Sequence, residues 1–409
     1  MNAKRIIAIC FSSIMHPFIA KRASSKSKKR KPESSPAFFL EKKQYIDQQS
    51  NNHFDHYISV PHIVAESTIE QPILSIIVST YNSEKFLSQC ISSIVNQKTN
   101  FKFEIVLVDN GSTDSSKKII DFFVNRYPSI FTYISIDKNY GSCPGRNAGI
   151  DFSKGDFLAF VDSDDYLSEA FVERTIEVAK KNDADIVKAS FCNFYSTRKK
   201  VHNNIYPYSS LVSMSNSFPY EANRLLCYIW GGIYKKSLFE KKRFPYNFFN
   251  IIDDRFMKLF IYQFSKKIIL IPEVLYYYRH YSNSTSQKKE GKFLNQVFYF
   301  ESLLKEYSDL SLPKSRYYFN AVMNEISTYL FLVNKNQSQA ILKSVFNECH
   351  LIYEREFSGI QCELPTILEY YRKSFLNNDF LLWKRLFFYS KVLRLSYPKD
   401  YLFMQERKN

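Results

Sequence analysis

The chain has 409 residues, 45% of them hydrophobic and 23% charged, with a formal net charge of +16. That length accommodates a catalytic domain of roughly 200–250 residues with appendages, and that composition excludes a wholly disordered polymer. The charge points to an anionic partner, but residues 1–43 hold 11 Lys/Arg against 2 Asp/Glu and residues 370–409 hold 9 against 3, leaving 36 against 35 between them. A balanced core with basic ends argues against nucleic-acid binding.

At the N-terminus, Ile6–Ala20 is interrupted by His16 and Pro17 and falls short of the ~18–20 apolar residues of a membrane span. KRASSKSKKRKP (21–32) follows, with no A-x-A-like cleavage site. Two readings fit this segment: an interfacial anchor on an anionic leaflet, or a solvated, disordered tail. Residues 1–70 are therefore read as an extension, with order beginning at Pro72.

ILSIIVS (73–79) is a continuous β-branched run of buried-strand type, followed by a helical pattern through Gln97. FEIVLVD (103–109) predicts a second strand with a helix over Ser115–Tyr127, and FTYISID (131–137) a third with a helix near Arg146–Ser153. DFLAFVD (156–162), a helix over Glu169–Lys181 and ADIVKAS (184–190) continue the alternation. The expectation is an α/β fold with a mostly parallel sheet, right-handed crossovers, and ligands beyond the carboxyl ends of the strands. Of only 9 glycines, Gly111, Gly141, Gly145, Gly149 and Gly155 fall in this stretch. They are read as turn residues needing positive φ or close backbone approach to a ligand.

From about residue 290, periodic Phe/Tyr/Leu segments predict helices to the C-terminus. FLLWKRLFFYSKVLRL (380–395) groups Lys384, Arg385, Lys391 and Arg394 broadly on one side. That helix suits either a membrane surface or packing of its apolar face on the catalytic domain. Seven cysteines without a C-x-x-C pair argue against a disulfide framework or a cysteine zinc site, and favour a reducing cytosol. Cys349 and His350 are adjacent in a helical stretch; they point to different faces and read as filler, not as a ligand pair.

The strand ends carry the chemistry. STYNSEKF (79–86), DNGSTD (109–114), NYGSCPGRNAGI (139–150) and DSDD (162–165) place carboxylates, one arginine and glycine-rich backbone at one sheet edge. Asp162, Asp164 and Asp165 repel one another unless a cation or a donor network compensates. Oxygen-only ligands suit Mg²⁺ or Mn²⁺ bridging a diphosphate. Taken alone, these acids also read as a helix N-cap.

As an ordered set, IIVSTYN, VDNGSTD, GRNAGI and FVDSDD resemble the bacterial family-2 glycosyltransferases, from about Pro72 to Ser286. The resemblance implies a GT-A domain at 71–286, between the basic extension at 1–70 and a helical C-terminal region at 287–409. It implies that Thr80, Tyr81 and Glu84 hold the nucleotide and that Asp109 reads the uracil edge. Arg146 would meet the diphosphate or base, Asp162 the ribose and metal, and Asp164 the divalent cation, with His280 as a candidate third ligand and Arg279 as a phosphate partner. FNIIDDRFMKLF (249–260) is similar to the family's acidic-pair helix, which makes Asp254 the expected general base, with Asp253 beside it. Asn110, Asp253 and Pro144-Gly145 depart from the family's usual residues.

The activity so implied is an inverting, metal-dependent transfer of a sugar from a UDP-sugar to a hydroxyl of a growing surface glycan of the capsule, lipopolysaccharide or exopolysaccharide type. The acceptor would be an oligosaccharide or a lipid-linked glycan. The enzyme would be cytoplasmic and peripheral on the inner face of the cell membrane, with an anionic membrane surface as partner and no nucleic acid. Two rivals stand beside it: transfer to a polyprenyl phosphate, and a non-catalytic sugar-nucleotide-binding scaffold, against which Asp164 and Asp254 speak. A nucleotidyltransferase would want a glycine-rich phosphate loop after the first strand, and STYNSEKF has no glycine.

Overall fold

A computed structural model describes residues 61–195, 200–206, 208–212, 228–244, 253–281, 339–357, 359–360 and 366–392, with most of several short helical stretches between 300 and 326. The membrane-anchor reading of residues 6–32 falls outside them. The chain forms two compact units. One comprises residues 47–292 with 298–321; the other comprises residues 1–46, 293–297 and 322–409.

The first unit is built on one sheet. Its strands are β1 (His62–Ala65), β2 (Leu74–Thr80), β3 (Phe103–Asn110), β4 (Phe131–Ile136), β5 (Phe157–Asp162), β6 (Tyr166–Leu167), β7 (Ile186–Tyr195), β8 (Lys200–Asn204), β9 (Ser209–Val212), β10 (Gly232–Lys235) and β11 (Lys267–His280). The spatial order is β1-β4-β3-β2-β5-β10-β7-β11-β6, with β8 beside β7 and β9 beside β11. β4, β3, β2 and β5 run parallel, as do β7 and β11. Helices α1 (Leu87–Val95), α2 (Ser116–Arg126), α3 (Ser142–Asp151) and α4 (Phe171–Asn182) complete the crossovers. Because helices cover the sheet, Leu74, Ile76 and Val78 of β2 and Ile105–Val108 of β3 are fully buried, which explains their unbroken apolar runs.

Three features depart from the sequence expectation. Order begins before Pro72: β1 lies antiparallel on β4, and Ser67 then ties the chain down through Oγ to Ser129 O (2.9 Å) and N to Thr132 Oγ1 (3.2 Å). A four-residue edge strand has too short a pattern to announce itself. Secondly, a short antiparallel strand absent from the sequence reading, β10, sits between β5 and β7. Gly232 permits this, since a Cβ there would stand 2.5 Å from Val187 O.

Thirdly, α3 begins at Ser142, so Gly145 and Gly149 lie inside a helix and not in turns. A Cβ on Gly145 would meet Ser79 Oγ at 2.4 Å, and one on Gly149 would meet Ile77 Cγ2 at 2.4 Å. Spaced four apart, they form a smooth stripe that lets α3 lie directly on β2. The close approach is to the protein's own sheet. The turn reading holds for Gly111 (φ 73°) and Gly141 (φ 96°).

The second unit contains α6 (Gln339–Phe357), α7 (Thr366–Leu376) and α8 (Phe380–Val392); α5 (Asp253–Phe256) belongs to the first unit and runs on through a π-helical turn (Met257–Ile261) to Tyr262–Phe264. Phe346 of α6 packs on Phe375 (5.6 Å), Phe380 (5.7 Å) and Trp383 (5.2 Å). Cys349 is buried among these helices. Among the described residues, no helix is long and apolar enough to cross a membrane.

Candidate active site

The sheet reverses its winding between β2 and β5: β3 and β4 lie on one side of β2, and β5 on the other. Register places Ser79 opposite Asp162 and Thr80 opposite Asp109. The segments leaving these strand ends therefore converge at the switch point where ligands bind in such sheets.

Two of these segments are laced together. Asn82 Oδ1 accepts from Thr113 N (2.8 Å), Asn82 N donates to Ser112 Oγ (3.0 Å), and Ser83 N donates to Ser116 Oγ (2.9 Å). Glu84 N donates to Asp114 Oδ2 (3.0 Å), while Glu84 Oε2 accepts from Ser115 N (2.9 Å). The Glu84 carboxylate thus caps the start of α2, where a negative charge is favoured. The structure gives Glu84 a bracing role, and its side chain stays exposed.

Asp109 is buried at the end of β3, with Oδ1 accepting from Ser112 N (3.0 Å). Thr80 is buried beside it, and its Oγ1 has no hydrogen-bond partner among the described residues. Tyr81, the next residue, is 43% exposed. Asn110 has a role that explains its departure from an acid. Its amide donates to Asn139 Oδ1 (3.1 Å) and to Gly141 O (2.6 Å), fastening the entry to α3. A carboxylate has no proton for either bond.

Across the switch point, Arg146 of α3 is buried and its Nη2 reaches Asp162 Oδ1 at 3.0 Å. Asp162, Asp164 and Asp165 bring one oxygen each within 4.8 Å of one another. Asp165 is buried and accepts from Tyr276 Oη (2.6 Å) and Arg279 N (2.7 Å). Burial, then the charges of Asp164 and Asp162, hold its pKa well above the usual carboxylate range. Asp164 accepts from Tyr281 Oη at 3.0 Å. Burial, then the charge of Asp162, push its pKa up to about 6.

Arg279 is buried and its groups are already engaged: Nε donates to Asp164 O (2.7 Å), Nη2 to Gln89 Oε1 (2.6 Å), and the guanidinium lies over the Phe86 ring at 4.5 Å. It braces the acidic turn. His280 shares its Nε2 with Asn193 Oδ1 on neighbouring β7 (2.8 Å), and burial lowers its pKa. Alternation along β11 turns it to the face opposite Arg279, so the structure does not bring His280 to the acid cluster.

Asp254 lies in the first turn of α5 with an exposed side chain. Desolvation, opposed by the charges of Arg255 and Arg146, raises its pKa to about 6; Asp162 adds to the rise and Lys188 opposes it. An accessible carboxylate whose pKa is lifted to about 6 is suited to taking a proton near neutrality. Asp253 opens the same helix; its side chain lies outside the described portion.

Sequence reasoning missed the aromatic backing of the acids. Trp230 stacks on Tyr276 (4.6 Å) and Tyr278 (5.1 Å), with Tyr228 on Trp230 (4.4 Å). Buried Lys188 donates to Tyr228 O (2.7 Å) and Tyr234 Oη (3.1 Å), fixing this segment. A signal existed: one of only two tryptophans directly precedes Gly231-Gly232.

The acid cluster fits a divalent cation in its donor chemistry. All donors are oxygens, Asp162 and Asp164 retain accessible surface, and Asp165 is committed to Tyr276 and Arg279. Two carboxylates with substrate phosphate and water completing the shell is the arrangement that suits Mg²⁺ or Mn²⁺.

Comparison with known proteins finds relatives of the segment that carries these strand ends. Residues 75–246 match the family described as glycosyl transferase family 2. The uncharacterized glycosyltransferase EpsJ of Bacillus subtilis (strain 168) is 30% identical over 224 residues, 53% of this chain and 63% of EpsJ. Glycosyltransferase GlyA of Streptococcus pneumoniae serotype 4 is 29% identical over 237 residues, 55% of this chain and 33% of GlyA. The matches thus span about a third to just under two thirds of these relatives. The structure of S. aureus TarS 1-349 in complex with UDP-GlcNAc superposes with a TM-score of 0.57 at 17% identity, covering 76% of this chain and 90% of that one, a likeness of fold. The chain carries a family-2 glycosyltransferase domain built on the GT-A fold.

Proposed function

We propose that this domain transfers a sugar from a uridine diphosphate sugar to a hydroxyl of a cell-surface glycan, with inversion at the anomeric carbon. The observation that carries this reading is the position of Asp254, accessible and within electrostatic reach of the Arg146–Asp162 pair at the switch point. The fold's likeness to a protein solved with UDP-GlcNAc supports the choice of uridine.

Each residue then has a task. Asp109 accepts from a ring N–H of the base. Arg146 orients Asp162 towards ribose and diphosphate. Asp164, braced by Tyr281, offers an oxygen beside it. Asp254 takes the proton of the acceptor hydroxyl as that oxygen attacks, because an unassisted sugar hydroxyl is a poor nucleophile at neutral pH. A divalent cation held by Asp162 and Asp164 would supply charge neutralisation for the departing nucleoside diphosphate. A single in-line displacement needs no covalent intermediate. The acceptor in this reading is an oligosaccharide or lipid-linked glycan at the inner face of the cell membrane, where the basic ends of the chain would meet anionic lipid.

The test is release of nucleoside diphosphate by the full chain with Mn²⁺ across UDP-, GDP- and CMP-sugars, with and without a lipid-linked acceptor. Acceptor-stimulated UDP release, lost in Asp254→Asn, is the expected result. Preference for a GDP- or CMP-sugar would overturn the uridine assignment. Full turnover by Asp254→Asn would overturn the base, and binding of UDP-sugar with no turnover at all would favour a scaffold.

A further inference from the structure

The helical unit carries an apolar and basic corner apart from the residues assigned to the transfer reaction. Leu376, the last residue of α7, is 66% exposed, and Leu381, the second of α8, is 56% exposed. Their neighbours do the opposite: Phe375 is fully buried, and the rings of Phe375 and Phe380 both pack on Phe346. The turn between the helices is also fastened by Asp379, whose Oδ1 accepts from Leu382 N (2.8 Å) and whose O accepts from Trp383 N (3.1 Å). The corner is therefore pinned from inside by aromatic rings while two leucines are held outward.

Helical spacing determines what surrounds them. Lys373 stands three residues before Leu376, and Lys384 and Arg385 stand three and four after Leu381; all three cations are exposed. The acid of the corner, Asp379, is committed to capping α8. Two outward leucines fringed by three cations complement an anionic bilayer, which offers an apolar layer beneath a negative surface. Long cationic side chains reach the headgroup level while the leucines go deeper. A protein partner of standard size would need a far broader apolar centre than the two leucines provide among the described residues.

We propose that the α7–α8 corner is a membrane-interface contact, with Leu376 and Leu381 entering the headgroup–acyl boundary of an anionic leaflet and Lys373, Lys384 and Arg385 engaging lipid phosphates. This site is separate from the basic run at 21–32 and does not depend on the transfer chemistry.

The experiment is co-sedimentation of the full chain with phosphatidylglycerol/phosphatidylcholine vesicles and with phosphatidylcholine vesicles alone. Wild type should bind the anionic vesicles at least about tenfold more tightly, since each cation near such a surface contributes about fivefold. Leu376→Ser/Leu381→Ser and Lys373→Gln/Lys384→Gln/Arg385→Gln should each weaken binding about tenfold or more, with UDP release in solution unchanged. In Leu381→Trp, brominated phosphatidylglycerol should quench the new indole. The proposal is overturned if wild type ignores anionic vesicles, or if both corner variants bind like wild type. It is overturned equally if deleting residues 1–43 removes all binding, or if the leucine variant only converts a dimer to a monomer. Because the readout is lipid binding and not turnover, its failure leaves the transfer reading intact, and the reverse also holds.

Discussion

The hydroxyl of Tyr276 donates to Asp165 Oδ2 at 2.6 Å and accepts from the amide of Asp162 at 3.3 Å. One phenol on β11 thus ties both ends of the acidic turn that leaves β5. Stacking of its ring on Trp230 holds it in place.

Removing that hydroxyl should be costly. Tyr276→Phe leaves a buried carboxylate short of a donor, which typically costs about 1–3 kcal/mol. Chemical denaturation should show a loss of that size for the catalytic domain. Donor affinity should fall as well, because Asp162 loses its tether. Unchanged stability would mean that the turn is held by Arg279 alone.

The acid cluster trades stability for function. Asp164 carries a pKa of about 6 when folded, against an ordinary value of 3.8. The folded state therefore holds the proton more tightly, and the ionised carboxylate opposes folding. That penalty is fully present above pH 6, shrinks as pH falls through the folded pKa, and vanishes below about 3.8. Asp164→Asn, which keeps an acceptor for Tyr281, should raise the melting temperature at pH 7.5 by about 2–4 °C. The gain should shrink at pH 4.5, and Mn²⁺ binding, read by calorimetry with UDP, should weaken sharply. A melting temperature unchanged or lowered at pH 7.5 would count against the electrostatic cost.

Activity should follow the ionisation of Asp254. With its pKa at about 6, kcat/KM should rise with pH through that value, since only the carboxylate accepts the acceptor's proton. Asp254→Asn should lose the acid limb and reduce kcat by about 10²–10⁴-fold with little change in UDP affinity. A wild-type profile flat from pH 5 to 8 would sink the assignment.

The seat of α3 on β2 admits a packing test. Helix propensity alone favours Gly149→Ala by about 1 kcal/mol. A Cβ there would lie 2.4 Å from Ile77 Cγ2, and overpacking of this kind costs about 1–3 kcal/mol. Net destabilisation is expected, and the double variant with Ile77→Ala should lose less than the sum of the two singles. Strict additivity would show that α3 shifts freely.

Legibility in the sequence followed the range of the interactions. β2, β3, β4 and β5 were readable because continuous burial makes continuous apolar runs. α3 was misread at its start, because Gly145 and Gly149 look like turn residues when the side chains they make room for, Ser79 and Ile77, lie far back along the chain in β2. The bracing role of Glu84 was hidden for a similar reason: its partner Ser115 belongs to another loop.

The basic charge of the ends, the α/β alternation and the ordered strand-end motifs were determined by the sequence itself, since each depends on composition or on spacing within one segment. Only the tertiary structure decided how the acids divide their work. Asp165 is consumed by Tyr276 and Arg279, Asp164 leans on Tyr281, and Asp162 pairs with Arg146. His280, one residue beyond Arg279, faces Asn193 instead. Those assignments depend on β11 returning to lie beside β7 and beside β6, the latter more than a hundred residues earlier in the chain, and a one-residue change in its register would exchange every face. Register between distant strands is set by packing, and a single sequence records it nowhere locally.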